Sequence, residues 1–177
     1  MSQKALDRLQ NTLPGALVER YQDRTGAHWA IVAQEFLIPL LRCAKEELGF
    51  GLFISMDAVD RMQLATNKPR FEVLYFLYSL EEKEHLRLKV LVDEDNPVLP
   101  SAHAVFQGAN WAERGVWDFY GIRFEGHPDL RRVFLYEAFE GHPLRKDFPL
   151  RGRQPLIPTC DDGIDEAFCG PGSNRPV

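Results

Sequence analysis

The stretch 71-FEVLYFLYSLEEKEHLRLKVLV-92 decides the fold. Residues 71–80 are aliphatic and aromatic on both alternating faces. That pattern predicts a central strand covered on both sides. Residues 81–84 are Glu-Glu-Lys-Glu, a charged hairpin turn. Residues 85–92 then return with strict alternation: Leu86, Leu88, Val90 and Val92 face inward, while His85, Arg87 and Lys89 face outward. Two antiparallel strands joined by a short turn are the seed of a sheet.

Outward from this hairpin, residues 50–57 (FGLFISMD) read as another strand and residues 27–33 (AHWAIVA) as a fourth. Between those two, Leu37, Leu40, Leu41, Ala44 and Leu48 mark one face of a helix. Pro39 fits its first turn, where a missing N–H costs nothing, and Gly49 fits its C-terminal cap. At the start of the chain Ala5, Leu6, Leu9 and Leu13 repeat at helical spacing until Pro14-Gly15 ends the segment. The sum is an α+β fold: a mixed sheet of about four strands with helices on one face, occupying residues 1–100.

Pro97 and Pro100 close that unit. Ser101 is placed to cap a short helix through Phe106, and Asn110 to cap a second helix over residues 111–120. Glu113 in the first turn of that second helix suits the helix dipole, and Gly121 ends it. Beyond it the chain is expected to be extended, an arm running to residue 153. Residues 154–177 carry one basic and four acidic side chains and no apolar period, and are expected to form a flexible acidic tail.

Composition limits the function. The chain has 177 residues, enough for one domain with a real core, and a net charge of −5, which argues against nucleic-acid binding as its main role. Three cysteines, Cys43, Cys160 and Cys169, do not make a disulfide framework and are one short of an all-cysteine iron–sulfur site. The polar start MSQKALDRLQ and the lack of an ~18-residue apolar run predict a soluble cytoplasmic chain, with any membrane association made through partners.

The region 111–150 holds 13 ionised residues among many aromatics. Two Gly-His-Pro turns, at 126–128 and 141–143, are each followed by adjacent cations, Arg131-Arg132 and Arg145-Lys146. Spacing alone leaves two readings: cationic elbows that dock on a partner, or turns that only shape a solvated loop. His127 and His142 with Asp118, Asp129 and Asp147 contain the residue types of a zinc or acid–base site, but each His sits in a Pro-locked turn away from helical i, i+4 spacing. Arg114 and Asp118 are four apart, so a local ion pair is available to them. The aromatics admit a flat-ring ligand such as quinone or flavin, although packing is the commoner use. No Gly-x-Gly-x-x-Gly fingerprint or P-loop is present to seat a nucleotide.

The ordered set Glu113, Arg114, Asp118, Gly121, Gly126-His127-Pro128, Leu130-Arg131-Arg132, then Gly141-His142-Pro143-Leu144-Arg145-Lys146-Asp147 and Pro149 resembles the signature of the 30-kDa subunit of respiratory complex I. Gly115 departs from it, since the family usually has an acidic residue there. The resemblance implies a subunit of proton-translocating NADH:quinone oxidoreductase with no catalytic residue, metal or cofactor of its own. FMN and iron–sulfur clusters would lie in partner subunits. It implies that the arm embraces the D (49-kDa) subunit near the quinone site, with the B subunit nearby, on the cytoplasmic side of the bacterial inner membrane. The interface residues it implies are Glu113, Arg114, Asp118, His127, Arg131, Arg132, His142, Arg145, Lys146 and Asp147. The alternative is the homologous subunit of a membrane-bound nickel–iron hydrogenase or formate hydrogenlyase.

Overall fold

A computed structural model describes residues 3–62, 69–151 and 154. Helix α1 (Gln3–Thr12) buries Ala5, Leu6 and Leu9. Strands β1 (Leu17–Gln22) and β2 (His28–Val32) follow. Asp23 shapes the turn between them: one carboxylate oxygen accepts from the N–H groups of Thr25 and Ala27, the other from the Trp29 indole. Helix α2 (Leu37–Glu46) carries Pro39 in its first turn and buries Leu37, Leu40, Leu41, Cys43 and Ala44. Strands β3 (Leu52–Asp60), β4 (Phe71–Ser79) and β5 (Glu84–Val92) complete a five-stranded sheet of order β1-β2-β5-β4-β3. The β2–β5 pair is parallel and the other pairs are antiparallel, so the sheet is mixed, as expected.

The central hairpin forms as read. Leu86, Leu88, Val90 and Val92 are fully buried and pair across β4 with Leu77, Tyr75, Val73 and Phe71. Three features differ from expectation. First, β1 is a fifth strand. It lies at the sheet edge, half-exposed and largely polar, so its sequence shows no apolar alternation. Second, β4 is fully buried on one face only; Glu72, Leu74, Phe76 and Tyr78 on the other are half-buried. Among the described residues, cross-strand neighbours shield these rather than a second layer. Trp29 meets Phe76 edge-on at 5.5 Å, and Lys89 lies beside the Tyr21 and Trp29 rings while pairing with Glu72. Third, β3 begins and ends later than residues 50–57, and Phe50 enters the core ahead of it.

The core does not stop at residue 100. Strand β6 (Val98–Pro100) pairs in parallel with β7 (Arg123–Glu125). Between them lie a 3-10 turn (Ala102–Ala104) and helix α3 (Ala109–Tyr120). Ala102, Val105, Phe106, Ala109, Val116, Ile122 and Phe124 join the same apolar cluster as the sheet and α2. Ser101 caps the 3-10 turn, as expected. Helix α3 instead starts one residue before Asn110, with Gly108 in the N-cap position and no side-chain cap. The tail, with Cys160 and Cys169, lies outside the described residues apart from Gln154.

One-sided burial has a measurable consequence. Leu88→Ala removes a fully buried side chain and is expected to cost roughly 2–5 kcal/mol in urea unfolding. Leu74→Ala on the half-buried face is expected to cost no more than about 1 kcal/mol.

Candidate functional site

The candidate site is α3 together with the arm, residues 126–151, that lies on it. Beyond β7 the described arm has no regular strand or helix, so its backbone groups must find partners elsewhere. Asp118, fully buried on α3, supplies three of them. Its Oδ2 accepts from the N–H groups of Val133, Phe134 and Leu135 at 3.1, 2.9 and 2.9 Å. Its Oδ1 accepts from Arg132 at 2.6 Å. Burial opposes the charge on Asp118, but these four donors outweigh it and hold the carboxyl below its ordinary pKa.

The two Gly-His-Pro turns clasp the two ends of α3. At the start, the His127 ring is buried: Nδ1 accepts from the Asp129 N–H at 3.0 Å, so Nε2 bears the proton and donates to the Asn110 carbonyl at 3.1 Å. At the end, the last carbonyls of α3 have lost their helical donors. His142 Nδ1 donates to the Asp118 carbonyl at 2.9 Å, the Leu144 N–H to Phe119 at 3.1 Å, and Arg145 Nε to Tyr120 at 2.6 Å. Gly121 makes this approach possible. Its φ is +74°, and a Cβ there would lie 2.6 Å from His142 and 2.7 Å from Arg145.

A second carboxylate ties the arm to the sheet. Asp60, buried at the end of β3, accepts from Arg70 at 2.8 and 3.1 Å and from the Lys146 N–H at 2.8 Å. Burial disfavours its charge, yet Arg70 and the N–H groups of Lys146 and Met62 win and hold its pKa at about 2. The same Arg70 reaches Asp147 in the arm at 2.7 Å and also pairs with Glu94.

Glu113 behaves in the opposite way. It is fully buried and accepts from the Ser101 hydroxyl and the Ala102 N–H, both at 2.6 Å, with His127 Nε2 at 3.9 Å. Here burial dominates and pushes the carboxyl up to about 7. Glu113 therefore does not serve the dipole of its own helix; it fixes the loop that enters the 3-10 turn. The Tyr75 hydroxyl is also fully buried, with no hydrogen-bond partner among the described residues.

Residues 30–154 match the family described as the respiratory-chain NADH dehydrogenase 30-kDa subunit. The chain belongs to that family. It is 44% identical over 140 residues to a C subunit of the NADH-quinone oxidoreductase of Rhizobium meliloti, covering 78% of this chain and 75% of that one. It is 41% identical over 155 residues to the corresponding C subunit of Trichlorobacter lovleyi, covering 86% and 93%. Among solved structures, a trypsin-resistant fragment of Nqo5 aligns with a TM-score of 0.63 and 27% identity, over 72% of this chain and 97% of the fragment. A chain of an archaeal membrane-bound sulfane sulfur reductase shares the fold, with a TM-score of 0.69 at 24% identity over 85% of this chain and 86% of that one.

Within this 30-kDa-subunit chain, the ten residues expected at an interface divide in two. Glu113 and Asp118 are fully buried and bonded internally, so no partner reaches them without opening the fold. His127, Arg132, His142 and Arg145 bind α3 or the arm itself. Arg114 does not pair with Asp118; it donates to the carbonyls of Arg131 and Arg132 at 3.1 and 3.2 Å, while Asp118 is taken by Arg132. Asp147 faces both ways, 44% exposed and paired with Arg70. Arg131 and Lys146 are exposed, Arg131 pairing locally with Asp129. His127 and His142 are held at opposite ends of α3, and no cluster of three His, Cys, Asp or Glu suited to a metal occurs among the described residues. Asp60 and Arg70 carry no local signal in the sequence, because Arg70–Asp147 and Asp60–Lys146 join positions 77 and 86 residues apart.

Asp118→Ala strands three N–H groups and Arg132, and should raise tryptic cleavage after Arg131 and Arg132 at least about tenfold, with a smaller effect on cuts within the sheet. Glu113→Gln should change the pH profile of melting. The folded carboxyl, at about 7, holds its proton more tightly than the unfolded one at 4.5, so its contribution is full below pH 4.5 and lost as pH rises through about 7. A glutamine accepts from Ala102 and donates to Ser101 without ionising, and thermal melts should lose that decline.

Proposed function

We propose that this chain is a structural subunit of proton-translocating NADH:quinone oxidoreductase, supporting the D (49-kDa) subunit beside the quinone site. On this reading the chain holds no redox centre. FMN and iron–sulfur clusters belong to other subunits, and the B subunit is a near neighbour. The assembly places the chain at the cytoplasmic face of the bacterial inner membrane. No helix among the described residues is long and apolar enough to cross a membrane, which is consistent with peripheral attachment.

The observation that carries the reading is the way the arm is held. An irregular 26-residue segment is fastened along its inner side by Asp118, Asp60 and the end of α3, and it presents Arg131, Lys146 and one edge of Asp147 outward. A segment with no ladder of its own, fixed internally and charged externally, is suited to lie against another subunit. The contribution to activity is positional: a rigid support keeps a neighbour's residues placed while charge moves. The names of the curated relatives, C subunits of NADH-quinone oxidoreductases, support this assembly over a hydrogenase-type one.

The test is a mild-detergent pull-down of the tagged chain from its native membranes. The wild-type chain should bring down a large assembly with flavin, iron–sulfur signals and NADH:quinone reductase activity. Arg131→Glu combined with Lys146→Glu should leave the isolated chain folded and cut recovery of the assembly about tenfold. Equal recovery would remove the arm from the interface. Nickel and hydrogen evolution in the eluate would move the chain to the hydrogenase-type complexes.

A further inference from the structure

One feature of α3 is used neither by the core nor by the arm's fastenings. Beside β3 the helix opens into a groove of about 240 Å³, lined by Asp57, Trp111, Gly115, Phe119, Tyr120 and Phe134 among others. Phe134 stacks on Phe119 at 5.1 Å and 16°, and Trp111 meets Phe134 edge-on at 6.2 Å. Trp111 is 58% and Phe134 56% exposed; no other Trp, Phe or Tyr among the described residues is as open to solvent. Gly115 forms part of the floor. A Cβ there would sit 2.9 Å from the Phe134 ring, so the departure from the family signature lets this ring lie down on the helix.

The groove has one formal charge. Asp57 is exposed, its described hydrogen bond comes from the N–H of Ala58, and no cation pairs with it among the described residues. Arg114 lies close by, with its guanidinium 5.4 Å from the Trp111 ring, but its donors are spent on the Arg131 and Arg132 carbonyls. Arg114 is not part of the lining, and among the described residues it leaves the Asp57 carboxylate unneutralised.

We propose that this groove is a socket for an arginine side chain presented by a neighbouring subunit, its guanidinium stacked on the aromatic wall and paired with Asp57. The chemistry selects the occupant. A flat, weakly hydrated guanidinium gains from the ring faces and makes a two-pronged bond to a carboxylate. A neutral aromatic would cover Asp57 without pairing it, and an acidic side chain would be repelled. The proposal rests on the chain being a subunit of an assembly, and it adds a contact on α3 separate from the exposed charges of the arm.

The test uses the tagged full-length chain assembled in its native membranes. Salt is raised stepwise until the chain leaves the assembly. Asp57→Lys should lower the half-release salt concentration about twofold and Asp57→Asn should fall between, whereas Glu125→Lys, exposed and outside the groove, should not change it. In parallel, a photo-cross-linking amino acid at position 111 is activated in the assembly. The joined peptide should come from another subunit and contain an arginine at the cross-linked site. Among the described residues Asp57 accepts only from the neighbouring Ala58 N–H, so melts of the isolated chain should be unchanged in both variants. A cross-link to a peptide without a basic residue, or to a second copy of this chain, would overturn the proposal. So would Asp57→Lys releasing at the wild-type salt concentration while the wild-type assembly is intact, which leaves the assembly reading standing. A wild-type chain recovered alone would sink both.

Discussion

One buried carboxylate sets the geometry of the functional half of the molecule. Asp118 accepts three consecutive N–H groups and a guanidinium from a segment that has no ladder of its own. Without it, those part-buried backbone donors would lose their acceptor within the chain. The backbone carbonyls at the end of the same helix, from Asp118, Phe119 and Tyr120, receive His142, Leu144 and Arg145. Helix α3 therefore serves the arm with its side chain and with its C-terminal backbone, and Gly121 is the residue that lets the arm come close enough.

The cluster of Asp60, Arg70, Glu94 and Asp147 works differently. Desolvating several charges opposes much of their mutual attraction, so such a cluster adds less to stability than its bond count suggests. What it does supply is position. The planar guanidinium of Arg70 can satisfy Asp60 and Asp147 together only when the second Gly-His-Pro turn lies against the sheet end. Burial lowers the pKa of His142, while hydrogen-bond donors hold the carboxylates of Asp118, Asp147 and Asp60 below their ordinary values.

These fastenings account for much of the charge in the segment from α3 to the end of the arm. Most of its ionised residues hold this chain in shape. A smaller set, Arg131, Lys146 and the outer edge of Asp147, stays at the surface. Gly115 serves a similar end elsewhere on the helix: its missing side chain leaves room for the Phe134 ring.

Much of this was legible in the chain before it folded. The apolar runs and alternation of residues 71–92 are local properties, and they imply the central hairpin directly. The same holds for α2, whose apolar spacing and Pro39 act within one segment, although its C-cap is Glu47 and not Gly49, and for the signature residues that mark the family. The polar edge strand β1 was not legible, because an edge strand is held by main-chain bonds that any side chain permits. Nor was the fate of the charges. Arg131 and Arg132 are neighbours of the same type, yet one is exposed and the other is spent on Asp118. Asp60 and Arg70 are separated from their arm partners by 86 and 77 residues. Local patterning determined the central strands, the helices and the family; only tertiary structure decided which cations stay exposed, because ion-pair choice depends on which distant backbones the core brings within about 3 Å.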